Sequence, residues 1–296
     1  MGRRGILRPR LKRQVKIRET WDWLKRANVS KKNIPRFFSY LYAQVYGGNV
    51  RIDPWGNNLH SNSNQFNPDI EREKNGRKIY TEEKSTSVRS SQIHSPLKQE
   101  ENNLYYLLRE ADEGKEPLPI IEYALFRYGP WSNTGLHKLS NEQLVKNLSE
   151  AEKKLVILPF NAFLYLAAFS RHEIRNQETS EFNRDTQRYH VLNGSTFTGL
   201  FENNHPITDF AKYPAPILEK LCLEDIEVEH SVTPNIKGNY FGRFIVEPFP
   251  VTRYFIPEKK YGRLIDNLLE HHQEITTALG LRDIFQQYKE LDDLPF

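Results

Sequence analysis

Apolar residues recur at helical spacing in several stretches of the chain and lapse in others. After Pro35, the residues Phe37, Phe38, Leu41, Tyr42 and Val45 fall on one side of a helix that Gly47-Gly48 ends. Pro35 suits the first helical turn, where a backbone N–H has no partner to lose. Trp21 and Leu24 predict a shorter helix over 20–27. From Val50 to Asn102 the pattern fails: Asn, Ser, Gly and charged residues dominate, and no period holds. The expectation there is a long irregular loop. Structureless excursions of such length are uncommon in compact domains, so this one is expected to lie on, or thread through, a larger partner.

Helical spacing resumes at Asn103, where Leu104, Leu107, Leu108 and Ala111 form a stripe that ends at Gly114. A second stripe follows Pro119, with Ile121, Ala124, Leu125 and Tyr128, closed by Gly129-Pro130. Ser140 with Gln143, and Ser149 with Glu152, both read as capping boxes, in which two residues three apart satisfy each other's backbone N–H. The second box feeds the longest apolar run, Leu155 to Phe169. With Pro159 and Asn161 inside it, that run falls short of the roughly 20 residues a membrane span needs, so a buried helix is predicted.

Beyond Arg175 the signals mix. Asn193-Gly194 between two short apolar stretches is a hairpin signal, because Asn-Gly takes the positive φ angles of a type I′ turn. Ile226–Val232 and Tyr240–Val246 are expected to pair, with Pro248 and Pro250 ending the second strand or holding it at an edge. Tyr261–Leu279 has Leu264, Ile265, Leu268 and Ile275 on one helical face, and a shorter helix is expected over 281–288. The predicted fold class is α+β, predominantly helical, with a small antiparallel β portion in the C-terminal half and a long irregular loop. In chain order the expected units are a basic arm (1–36), an anchoring helix (37–49), an irregular polar segment (50–102), a helical core (103–175) and a mixed region packed on that core (176–296).

Charge changes the picture at the N-terminus. Residues 1–36 hold thirteen cations, Arg3, Arg4, Arg8, Arg10, Lys12, Arg13, Lys16, Arg18, Lys25, Arg26, Lys31, Lys32 and Arg36, against only Glu19 and Asp22. The segment is net +11 while the other 260 residues are net −7. Such a field suits a polyanion, and phosphate backbones are the commonest one. These thirteen residues are therefore the expected RNA-binding set, with Trp21 and Trp23 either anchoring the arm or stacking on unpaired bases. Residues 1–18 are also rich in Arg and free of acids, as organellar targeting segments are, although Pro9 interrupts a helix and no Ser or Thr occurs before Thr20. The single Cys222 excludes an intrachain disulfide and a Cys-rich zinc site. An aromatic share of 12% calls for a folded body, and a mean hydropathy of −0.70 for extensive polar surface.

Catalytic signals are sparse. Pro68-Asp69 followed by Glu82-Glu83-Lys84 satisfies the PD…(D/E)xK pattern of nucleases, in which two acids hold a divalent cation near the scissile phosphate and a lysine helps stabilise charge. The acids of such a site should sit on a hydrophobic strand, and Ile79–Ser87 is polar, so a chance match is expected. His271-His272 point about 100° apart on a helix and cannot easily share one ion, and HExxH is absent. Cys222 lies between Leu221 and Leu223 and reads as a packed thiol. Walker A, GxGxxG and GxSxG motifs are absent too. The chain is thus expected not to be an enzyme and to need no metal or other cofactor.

The basic arm, aromatic body and long irregular loop together resemble the accessory, organelle-specific proteins of mitochondrial ribosomes. The resemblance is one of composition and layout, over residues 1–36 and 50–102, without a diagnostic motif. It implies a structural RNA-bound subunit in the mitochondrial matrix, contacting rRNA phosphates through the arm and neighbouring proteins through the body. The alternatives are a metal-dependent nuclease, with Asp69, Glu82 and Lys84 as its site, and a viral structural protein with a genome-binding arm.

Overall fold

The computed structural model describes residues 34–50, 66, 68–87, 97–129, 140–164, 219–238 and 244–279. Among them the chain runs α1 (Ile34–Tyr46), β1 (Asn49–Val50), β2 (Ile70–Lys74), β3 (Arg77–Ser87), α2 (Leu97–Asp112) and β4 (Ile120–Gly129). It continues with α3 (Asn141–Glu150), β5 (Glu152–Pro159), β6 (Glu227–Val232), β7 (Ile236–Gly238), β8 (Phe244–Val246), β9 (Pro250–Phe255) and α4 (Tyr261–Leu279). Seven strands form one mixed sheet in the order β1-β2-β3-β4-β5-β9-β6, and β7 pairs with β8 separately. The β3–β4 and β5–β9 pairs are parallel, and the remaining pairs are antiparallel. On one face Phe38 and Leu41 of α1, Leu144 and Leu148 of α3, and Phe244 of β8 pack on Ala124, Phe126, Leu155 and Ile157. On the other, Leu104 and Leu107 of α2 and Leu264 and Leu268 of α4 pack on Tyr123, Leu125, Val156 and Leu158.

This mixed α/β architecture corrects the expectation of a predominantly helical fold. Ile120–Gly129 is a central strand, not a helix, and is apolar at almost every position because both of its faces are buried. A run that is apolar nearly throughout satisfies a helical stripe by default. Its Ile, Tyr and Phe content, which suits strands, is the better signal. Glu152–Pro159 is likewise a strand, and the described residues that follow, 160–164, are helical. Ser149 opens no helix: it sits in the last turn of α3, and its hydroxyl donates to the Val145 carbonyl. The capping box at Ser140 and Gln143 is present as read.

The long irregular loop is also corrected, since residues within 50–102 form the β2–β3 hairpin and begin α2. The turn is Asn75-Gly76, with φ of 54° and 77°, which joins Lys74 to its partner Arg77. Glu227–Val232 pairs with β9, and Phe244–Val246 pairs with Ile236–Gly238, rather than with each other. The predicted α1 and α4 stand, and all four apolar residues named on α4 are buried. The expected hairpin at 193–194 and the helices at 20–27 and 281–288 lie outside the described residues.

β3 is polar yet central, and one buried carboxylate explains how. Glu122 of β4 accepts hydrogen bonds at Oε1 from the Arg72 guanidinium of β2 (2.9 Å), the Thr81 hydroxyl of β3 (3.0 Å) and the Tyr42 hydroxyl of α1. Three strands and a helix therefore converge on a single oxygen. Burial, reinforced by the Glu122 charge, holds the Tyr42 hydroxyl well above its ordinary pKa, so it remains a donor. A second buried charge, Lys153, donates to the Ser149 carbonyl (3.0 Å) and the Ala151 carbonyl (2.5 Å) at the C-terminal end of α3. Burial pulls the Lys153 ammonium down to a pKa of about 8.

Two stability outcomes follow. Glu122→Ala strands a buried guanidinium and should lower the unfolding free energy by about 3–5 kcal/mol in urea titrations, while adding Arg72→Leu to Glu122→Leu should restore much of that loss. For Lys153, the folded pKa lies below the unfolded value of about 10.4, so the unfolded chain binds more protons between roughly pH 8 and 10. Stability should accordingly rise over that window by on the order of 2 kcal/mol relative to Lys153→Met. Urea midpoints compared at pH 7 and pH 10 measure the difference.

Candidate active site

Strand alternation decides which side chains can meet. In β3, Tyr80 packs beneath α2, so Glu82 and Lys84 point to that face as well, while Thr81 and Glu83 face α1. In β2, Ile70 belongs to the α1-side core and is the register partner of Thr81. The β2–β3 ladder begins at that pair, with Asp69 just before Ile70 and Glu82 just after Thr81. The Asp69 carboxylate accepts a hydrogen bond at Oδ2 from the Glu83 backbone N–H (2.9 Å), which pins it to β3.

Asp69 is thereby tied to β3, the strand that carries Glu82 and Lys84. Glu82 is 1% exposed, Asp69 is half-buried, and the Lys84 ammonium lies 3.8 Å from Glu82 Oε2. Polar as it is, Ile79–Ser87 is a strand paired with β4 along its whole length and with β2 over Ile79–Thr81. Glu83, the residue between, serves the opposite face. Its charge lies beside Tyr128, whose hydroxyl is pushed up to about 12 by burial first and then by Glu83.

Apolar and aromatic groups wall the site. Phe66 stacks on Tyr106 of α2 with ring centroids 4.0 Å apart and meets Tyr80 edge-on at 4.9 Å. Behind Glu82, its β4 register partner Tyr123 accepts a hydrogen bond from the Asn103 amide of α2 (2.7 Å). Two carboxylates and an ammonium thus occupy a partly dry edge of the sheet. Carboxylate oxygens are hard ligands suited to Mg²⁺ or Mn²⁺. Among the described residues no group of three or more His, Cys, Asp or Glu is placed to hold a metal ion. Two acids are compatible with magnesium, which is usually held by one or two carboxylates together with water and substrate phosphates.

Other residues singled out in the sequence stay apart from this site. His271 interrupts α4 at φ −116° and ψ 16°, and the His272 ring bonds the Leu269 carbonyl at 3.0 Å, so the pair forms no chelate. Cys222 is buried, and burial pushes its thiol pKa up, which suits a packed thiol. Of the thirteen cations expected to bind RNA, twelve lie outside the described residues, and Arg36 falls in α1. Among the described residues no helix is long and apolar enough to cross a membrane. The sequence signal for the β2–β3 hairpin is Asn75-Gly76, a two-residue turn that sets Lys74 opposite Arg77.

No protein-family model, curated protein or solved structure matches this chain. Asp69→Ala removes the acceptor for the Glu83 N–H and should cost about 1–3 kcal/mol, whereas Asp69→Asn keeps an acceptor oxygen and should cost less than about 1 kcal/mol. Urea denaturation of the two variants checks the difference.

Proposed function

We propose that this protein is a metal-dependent nuclease that hydrolyses phosphodiester bonds, with Asp69 and Glu82 as metal ligands and Lys84 as the cation facing the phosphate. The observation that carries the reading is the Asp69–Glu83 hydrogen bond, which ties Asp69 to β3, where Glu82 and Lys84 share a face and lie 3.8 Å apart. A divalent cation held there supplies Lewis-acid stabilisation of charge on the phosphoryl group. In the overall reaction a water oxygen bonds to phosphorus as the P–O bond to the departing nucleotide breaks, and the departing oxygen takes up a proton. Asp69 and Glu82 hold their positions throughout, because one is tied to the β3 backbone and the other is buried in mid-strand. Lys84, a donor with no acceptor capacity, offsets negative charge that grows on the phosphate.

The cationic residues of 1–36 fit the same substrate, since eleven net positive charges attract any polynucleotide without reading its sequence. The reading as a mitochondrial ribosomal subunit rests on residues 1–36 and 50–102, and the second of these segments contains β2 and β3; the reading as a viral structural protein rests on the basic arm. No feature of the described residues favours attachment over catalysis.

Purified protein incubated with Mg²⁺ or Mn²⁺ should cleave DNA or RNA, and EDTA should stop it. Asp69→Asn and Glu82→Gln should each lower the rate by at least about 100-fold while leaving the circular dichroism spectrum unchanged. Cleavage that survives Asp69→Asn, or its absence with both metals, would falsify the proposal.

A further inference from the structure

The apolar cover on the α2 side of the sheet has a definite end. Leu125 of β4 and its neighbour Val156 of β5 are both buried, and Lys84 of β3 is the register partner of Leu125. One row further toward the C-terminal end of β4, the apolar residues give way to Arg127 and Lys154, which are direct cross-strand partners on this same face. Arg127 is half-buried and Lys154 is exposed. On the β2 side of the same face alternation places Glu71 and Glu73. Charge therefore changes sign across the sheet: acids at β2 and Glu82, then Lys84, then Arg127 and Lys154.

A divalent cation at the acids would hold one phosphate, and a strand continuing across the sheet would need cations for the next ones. Arg127 and Lys154 lie about 13 Å along the strands from Glu82 and one and two strand spacings, about 5 and 10 Å, to the side. Lys84 lies between, and long Lys and Arg stems close the remaining distance. Paired on one row, an arginine and a lysine neutralise phosphates and make no base-specific contact. We infer that Arg127 and Lys154 form a phosphate-binding step, which holds the polynucleotide backbone next to the phosphodiester seated at Asp69, Glu82 and Lys84. The inference deepens the nuclease reading and rests on it for the direction in which the strand runs.

Binding measured in EDTA separates the two claims, because it requires no cleavage. The probes are fluorescein-labelled DNA and RNA strands of one sequence, and the DNA duplex, each titrated with full-length protein at several salt concentrations. Arg127→Gln with Lys154→Gln should weaken binding on the order of ten-fold at low salt and flatten the log K against log salt slope by about two. Lys154→Gln alone, at an exposed position that folding tolerates, should flatten it by about one. Arg127→Lys with Lys154→Arg should keep the parental slope. A control pair of exposed cations elsewhere, Lys146→Gln with Lys237→Gln, should change affinity by less than about two-fold. An unchanged slope in the double variant, an equal effect from the control pair, or no binding of any probe would overturn the inference. A slope that flattens in a protein that cleaves nothing would retain the phosphate step and discard the nuclease. The probe bound most tightly assigns the substrate to DNA or RNA.

Discussion

Pairing of Ile70 with Thr81 is the contact on which the rest of the site depends. A strand has a side-chain period of two, so a slip of one residue would turn Glu82 and Lys84 to the wrong face. Ordinary strands fix register by burying a hydrophobic row. β3 has little to bury, and its register is fixed by polar groups instead. Glu122 grips Thr81 from β4 and Arg72 from β2, while Asp69 bonds the Glu83 N–H from the hairpin's other arm. The Asn75-Gly76 turn supplies the third restraint, because its two-residue loop allows only Lys74 opposite Arg77.

Such a register is costly. Glu122 and Arg72 both give up water, and their attraction offsets that loss only because Tyr42 and Thr81 complete the carboxylate's hydrogen bonds. A sheet optimised for stability alone would place Val or Ile along β3. On the proposed reading, a strand polar on both faces presents groups for chemistry on the α2 side and is held in place from the α1 side. Aromatic packing on the α1 side, with Phe38 stacked between Phe126 at 4.8 Å and Tyr128 at 4.9 Å, keeps the clamp dry.

The helices were legible in the sequence because amphipathic spacing survives wherever one face of a helix meets water, as it does in α3 and α4. The strands were not, for two opposite reasons. β4 and β5 are buried on both faces and so show no alternation, which lets a helical stripe be drawn through them. β3 has only Ile79 and Tyr80 as large apolar residues among its eleven, and so it reads as loop. The candidate site is spelled out in Pro68-Asp69 and Glu82-Glu83-Lys84, and that same polarity argues against it in the sequence. Local rules fail most readily where residues are kept for function, and the strand where they fail here is the one that carries the proposed site. The chain's most conspicuous feature, thirteen cations in 36 residues, speaks of a polyanionic partner and not of what is done to it.

Everything turns on whether Asp69 and Glu82 hold one cation between them. Crystals grown with Mn²⁺ and recorded near the manganese absorption edge test this directly, with Asp69→Asn crystals as the comparison. A strong anomalous peak between the Asp69 and Glu82 carboxylates, on the face that Lys84 shares and absent from the variant, is the expected result. A map without a peak there at saturating Mn²⁺, or one whose peak persists in Asp69→Asn, would contradict the account.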